Sequence, residues 1–235
     1  MRGWTVTTVI FYILFISFPA PAFTQAVDII WQGNVYAPPF YEGKALWSNQ
    51  SLVTLVAIPQ GLGNPDDLTY RWTKNGTVLG EISGIGRESM SFQDSIFSKP
   101  QIVKVEVLSV DEQILSETSI TLVPIRSELL VYESNPLLGH MFHQEVVEKF
   151  KMKDDEVTFA AFPLYMSTTV RDGENLIYSW LTNGGEVGVD NSVTFRSPDS
   201  GSGSANIILG LKNNLLIMPD ITRSFLVQFG ESDEQ

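Results

Sequence analysis

Leu68–Gly76 reads LTYRWTKNG, and at Leu176–Gly184 the chain reads LIYSWLTNG. The two copies share Leu, Tyr, Trp, Asn and Gly at identical spacing. Leu, Tyr and Trp stand at i, i+2 and i+4, which on a strand places three large apolar side chains on one face. Asn-Gly follows, and both of its residues tolerate the positive φ that a two-residue hairpin demands. Each copy therefore reads as a strand with a buried Trp leading into a tight turn, with Tyr70, Trp72, Tyr178 and Trp180 as core residues. A motif that occurs twice in 235 residues divides the chain into two units.

Working outward from the first copy, the predicted unit covers residues 27–124. Ser51–Ile58 is an apolar run closed by Pro59, and Gln101–Leu108 alternates Val103, Val105 and Val107 with Lys104 and Glu106. That alternation is the half-buried antiparallel pattern. Seven short strand candidates separated by turn signals predict a β-sandwich. Val35-Tyr36 followed by Ala37–Tyr41 (APPFY) reads as a first strand kinked by its prolines as it crosses between sheets. The second unit, residues 127–229, replays this order. Val131-Tyr132 echoes Val35-Tyr36, Glu156–Phe162 closed by Pro163 echoes the strand closed by Pro59, and Ser192–Phe195 (SVTF) echoes Ser89–Phe92 (SMSF). Only Met141–Asp155 lacks a counterpart, and there a short helix and a loop with a bent strand are equally compatible with the spacing of Phe142, Val146 and Phe150. The joint, Pro124–Arg126, spans at most ~11 Å when extended, so the units are near neighbours.

Two all-β repeats of this size, each with a Y-x-W-x-x-N-G strand, resemble tandem PKD-type or Ig-like domains. Behind an N-terminal signal segment, the layout is similar to that of two-domain exported proteins of candidate-phylum bacteria. The resemblance implies two tandem Ig-like (PKD-like) antiparallel β-sandwiches and no enzyme activity. The chain has no cysteine, so the inter-sheet disulfide of antibody-type domains is absent.

Met1-Arg2, the uncharged run Val6–Phe18 and the small residues Ala20, Ala22 and Ala26 form a signal-peptide pattern over residues 1–26. The alternative is an uncleaved anchor, since Trp4–Phe23 approaches the ~20 residues that span a bilayer. A formal net charge of −12, with an acidic tail at 230–235, excludes a nucleic-acid partner, which needs clustered Lys and Arg. An exported chain without disulfides points to a bacterial-type envelope: periplasmic, cell-surface or secreted.

Candidate chemistry is sparse. Asp66-Asp67 and Asp172-Gly173-Glu174 enter the two Trp strands at matching points, and calcium favours several oxygens on such turns. Asp66, Asp67, Asp172 and Glu174 are thus the candidate metal ligands, for a structural calcium; the sequence implies no other cofactor. Neither turn has the spacing of a dedicated calcium loop. His140 and His143 are the only histidines, and on a helix they would share a face with Glu145 or Glu148, although Met141 stands where a metalloprotease needs Glu. Gly80–Gly86 and Ser200–Ser204 read as long sandwich loops, lacking the Lys-Ser/Thr of a phosphate loop. The function expected from all this is a non-catalytic exported cell-envelope binding or structural module. Its partner would be an envelope protein or glycan, with membrane contact only through an uncleaved N-terminal segment. Alternatives are a periplasmic assembly chaperone, with Arg126 at the joint, and an envelope hydrolase with a diffuse site.

Overall fold

The computed structural model describes residues 24–95, 98–183, 185–217 and 220–230. The signal segment and the acidic tail expected from the sequence lie almost wholly outside them. The described chain is two tandem β-sandwiches. The first is built from β1 (Ala26–Gly33), β2 (Leu52–Gln60), β3 (Thr69–Lys74), β4 (Thr77–Val78), β5 (Gly84–Ile85), β6 (Ser89–Gln93), β7 (Gln101–Leu108) and β8 (Ile114–Leu122). One sheet runs β1-β2-β6; the other runs β4-β3-β7-β8, with β5 also beside β3. The second comprises β9 (Glu128–Asn135), β10 (Gly139–Glu145), β11 (Lys149–Lys151), β12 (Glu156–Leu164), β13 (Leu176–Thr182), β14 (Gly185–Gly188), β15 (Ser192–Arg196), β16 (Gly203–Asn213) and β17 (Ile221–Phe229). Its sheets run β10-β9-β12-β15 and β11-β17-β16-β13-β14. The pairing departs from the all-antiparallel expectation at β11, which lies parallel to β17. Met141–Asp155 therefore holds strands β10 and β11 rather than a helix.

Alternation builds each core. In the first, Val53, Leu55 and Ala57 of β2 face Val103, Val105 and Val107 of β7, with Tyr70 and Trp72 between them, all essentially without solvent exposure. In the second, Phe159 and Ala161 of β12 face Ile207, Leu209 and Leu211 of β16 around Tyr178 and Trp180. The tryptophans are tied alike: Trp72 Nε1 donates to the Arg87 carbonyl and Trp180 Nε1 to the Asp190 carbonyl, each at 2.8 Å. Burying both the ring and its one donor requires such a partner. At the turns Asn75 and Gly76 take φ of 50° and 81° and Asn183 takes 45°, the left-handed region that Asn and Gly enter most readily.

Pro59 and Pro163 do not end their strands. Each is followed by one more paired residue, in β2 and β12 respectively. The physical reason is parity. Ala57 N–H donates to Glu88 and Ala161 N–H to Asn191, so the next odd residue, Pro59 or Pro163, faces beyond the start of β6 or β15. No ladder bond is lost where proline has no N–H to give. The same registers correct the echo of Val35-Tyr36 in Val131-Tyr132. Val27 pairs with Pro59 and Leu129 with Pro163, which makes Val131 the counterpart of Ile29. Val35-Tyr36 lies past the end of β1.

Candidate functional site

Residues 34–47 form no strand. They leave β1 at Gly33, reach the second sandwich, and come back into the first, a strap rather than a kinked strand crossing between sheets. Tyr36 N–H donates to the Met166 carbonyl and Tyr165 N–H to the Tyr36 carbonyl, both at 2.8 Å. Tyr165 holds φ of 60°, the left-handed region that a bulky residue rarely enters, at the point where the strap is gripped. Its hydroxyl donates to that of Tyr41 at 2.5 Å, and burial together with this bond pushes the Tyr165 phenol pKa up.

Above these bonds sits an aromatic cluster on the outer face of the β9–β12 sheet. The Phe40 ring lies 4.2 Å from Phe142, 5.1 Å from Tyr132 and 5.7 Å from Phe162, centroid to centroid. Tyr36 and Ala160 complete it. This explains why β12 is buried on both faces from Phe159 to Leu164. The run AAFPL has no polar partner in its alternation because the strap covers the face that would otherwise meet water.

The strap returns with Trp47, which has no solvent exposure, packs edge-on against Phe92 and donates from Nε1 to the Ser51 carbonyl. Gly33 N–H donates to Ala45, and the three-residue joint is pinned beside it. Ile125 N–H donates to Trp47 at 2.9 Å, and Ser48 bridges Ile125 in parallel. A further bond crosses between the sandwiches, the Ile217 N–H in the β16–β17 turn donating to Gln50 Oε1. Sequence reading missed Phe40 and Phe162 as parts of one interface, and Trp47 as the core residue that brings the strap back into the first sandwich. Continuous apolarity at Phe159–Leu164 was the signal for a second covered face.

The sequence-predicted ligands stand apart. Asp66 and Asp67 sit on an exposed 3-10 turn, where Asn64 Nδ2 donates to Asp67. Asp172 and Glu174 sit exposed on the matching turn of the other sandwich. Each turn is tied to its Trp strand by a tyrosine hydroxyl: Tyr70 donates to the Pro65 carbonyl at 3.2 Å and Tyr178 to the Arg171 carbonyl at 2.6 Å. Among the described residues no three His, Asp or Glu side chains converge where a metal ion would sit. His140 and His143 lie on the irregular strand β10, which leaves His143 exposed while His140 is turned toward the aromatic cluster. His140 is half-buried, edge-on to Phe162; burial, and secondarily the Arg171 charge, lowers its pKa. The Arg171 guanidinium stacks 4.5 Å over the same ring. Gly80–Gly86 is no free loop either, since it makes a 3-10 turn and then pairs as β5 with Tyr70. At the far end of the second sandwich, Ser200 and Gly201 line an open depression of about 580 Å³ with Lys151 and Asp154.

One charge network is built into the first sandwich. Glu106 is 6% exposed on the outer face of β7, bonded to Arg71 and Lys104, and Lys104 reaches on to Glu117. The Arg71 and Lys104 hydrogen bonds outweigh desolvation and hold the Glu106 carboxyl down at about 2.

No family model and no curated protein matches the sequence. Among solved structures, the chain is similar to the fibronectin(III)-like modules of Clostridium thermocellum CbhA, with 9% identity over 88% of this chain and 100% of that one at a TM-score of 0.28. It is also similar to the central fibronectin-III array of RIM-binding protein, with 10% identity over 86% of this chain and 69% of that one at 0.25. A third is the enterotoxigenic E. coli CFA/I adhesin CfaE, with 7% identity over 87% of each chain at 0.23. At these TM-scores the likenesses carry no argument about activity, and the fold rests on the strand ladders themselves.

Proposed function

We propose that this chain is a non-catalytic, exported module of the cell envelope, in which two β-sandwiches form one stiff unit that holds or presents an envelope protein or glycan. The observation that carries this reading is the strap. It adds a gripped tyrosine, an aromatic cluster and a pinned joint to a linker that is already only three residues long. A spacer or adhesive unit needs such stiffness, since each freely hinged joint disperses the position of whatever lies beyond it. Support for a non-catalytic role comes from the scatter of the polar residues, because the acidic turns and the two histidines do not assemble a nucleophile with a base. Support for export comes from the N-terminal signal-peptide pattern, and the absence of cysteine in an exported chain favours a bacterial-type envelope over an animal extracellular setting.

The chain has no cysteine, so single cysteines introduced at Val110 and Leu137 label uniquely. Both side chains stand in solvent, 99% and 93% exposed, at the outer ends of the two sandwiches. Electron–electron distance measurement between spin labels there is expected to give one narrow distribution. A broad distribution overturns the stiff unit. N-terminal sequencing of the exported product is expected to begin just after Ala22 or Ala26; an intact Met1 means an anchored protein.

A further inference from the structure

We propose that the free edge of β6, with the apolar groove beside it, is a docking site for an extended polypeptide segment, which it takes up as an added parallel strand. The inference deepens the binding half of the reading above and rests on it for the kind of partner. Hydrogen-bond parity identifies the edge. Because Ala57 N–H donates to Glu88, the backbone groups of Met90 and Phe92 face β2, and those of Ser89, Ser91 and Gln93 point away from it. Among the described residues no strand pairs with that side. The edge also carries none of the devices that guard natural edges, since SMSFQ contains no charge, proline or bulge.

Beside this edge the two sheets part around a groove of about 430 Å³. Val78, Leu79 and Ile82 line one wall, and Met90 and Phe92 the other. A strand hydrogen-bonded to Ser89, Ser91 and Gln93 sends every second side chain into that groove. Charge fixes its direction. The Lys74 ammonium stands 4.1 Å over the Phe92 ring, at the end nearer the second sandwich, and has no acidic partner among the described residues. Glu81 lies further back on the 3-10 turn, on the other side of Val78 and Leu79. A segment with a carboxylate at its C-terminal end and a basic residue upstream, running parallel to β6, matches both charges.

The second sandwich supplies an internal comparison. Its β15 is the counterpart of β6, yet there the hairpin strand β14 is longer and packs against β15. A Cβ on Gly188 would be 3.0 Å from Val193 Cγ2. The sheet face beside that edge carries the Arg196–Glu156 ion pair, which β6 lacks, whereas its Thr158–Thr194 hydroxyl bond is matched by Thr54–Ser91 in the first sandwich. The same fold thus closes the groove in one copy and leaves it open in the other.

The probe is a synthetic peptide, Lys-Thr-Val-Thr-Val-Thr-Val with a free C-terminal carboxylate, titrated into the exported chain and followed by backbone amide resonances. Saturable shifts centred on Ser89, Ser91 and Gln93 are expected. Ser91→Pro removes an outward-facing N–H and the exposed hydroxyl bond to Thr54, keeps the backbone ladder to β2, and is expected to abolish binding while the two-label distance stays narrow. Lys74→Met, or amidation of the peptide, is expected to weaken binding about five-fold, the value of one partly exposed ion pair. No saturation by ~1 mM peptide, beyond which affinity is no longer meaningful, overturns the proposal, as does binding that survives both Ser91→Pro and Val78→Asp. A dimer seen by sedimentation and lost in Ser91→Pro also overturns it, by assigning the edge to a second copy of the chain. These outcomes are independent of the spin-label distance, so stiffness and docking fail separately.

Discussion

Truncating Phe40 to alanine tests whether the strap joins the two sandwiches thermodynamically as well as geometrically. Fully buried Phe→Ala changes cost ~3–5 kcal/mol. Phe40 is only half-buried, but it meets three rings, Tyr132, Phe142 and Phe162, within 5.7 Å. Halving the burial contribution for exposure, and crediting the aromatic pairs at their usual ~0.5–1.5 kcal/mol each only in part because the rings also pack on one another, leaves a loss of about 2 kcal/mol. For a chain of this length unfolding as one unit, that lowers Tm by roughly 4–8 °C. The loss falls on the second sandwich, whose outer face the strap covers. In scanning calorimetry the intact protein is expected to unfold in one transition. The Phe40→Ala variant is expected to show two, the second sandwich melting first. Leu137→Ala, at a fully solvated turn of the same sandwich, serves as the control and is expected to leave the midpoint within ~1 °C, as for other surface changes. A Phe40→Ala protein with one transition at the original temperature refutes the coupling assigned to the aromatic cluster.

Three further outcomes follow from the structure. Glu106 titrates at about 2 when folded against 4.5 ordinarily, so its contribution is complete above pH ~4.5 and is lost as pH falls through the folded value. Discounted for the part-exposed Arg71 and Lys104, that contribution is about 1–3 kcal/mol; urea melts of Glu106→Gln should show this deficit at pH 7, and a deficit unchanged at pH 2.5 contradicts the assignment. Trp72→Ala and Trp180→Ala are each expected to cost ~3–5 kcal/mol, to comparable degrees because both rings are fully buried with Nε1 bonded alike; a difference above ~2 kcal/mol between them in denaturant titrations argues against their equivalence. Gly33→Ala places a methyl 2.6 Å from the Leu46 carbonyl oxygen, backbone that cannot swing aside, so a loss of ~1–3 kcal/mol with a broadened spin-label distance is expected, and a neutral effect means the strap returns by another route.

The local chemistry of the chain was sufficient for its two units. Leu, Tyr and Trp at alternate positions before Asn-Gly determine a buried face and a turn without reference to anything distant, because strand periodicity and left-handed φ are properties of neighbouring residues. Val103, Val105 and Val107 against Lys104 and Glu106 likewise declare which face of β7 is inside. The strap was a different matter. Ala37–Tyr41 has no periodicity, and the partners of Phe40 lie about a hundred residues away on β9, β10 and β12, so only the packing of one sandwich on the other says what those aromatics touch. Proline misled for a related reason: whether Pro59 or Pro163 ends a strand depends on whether a neighbour needs its missing N–H, and that is decided by where β6 and β15 begin. The open edge of β6 belongs to the same class. SMSF and SVTF are nearly the same words, and it is the fold of the hairpin beside each that leaves a groove open beside one strand and fills it beside the other.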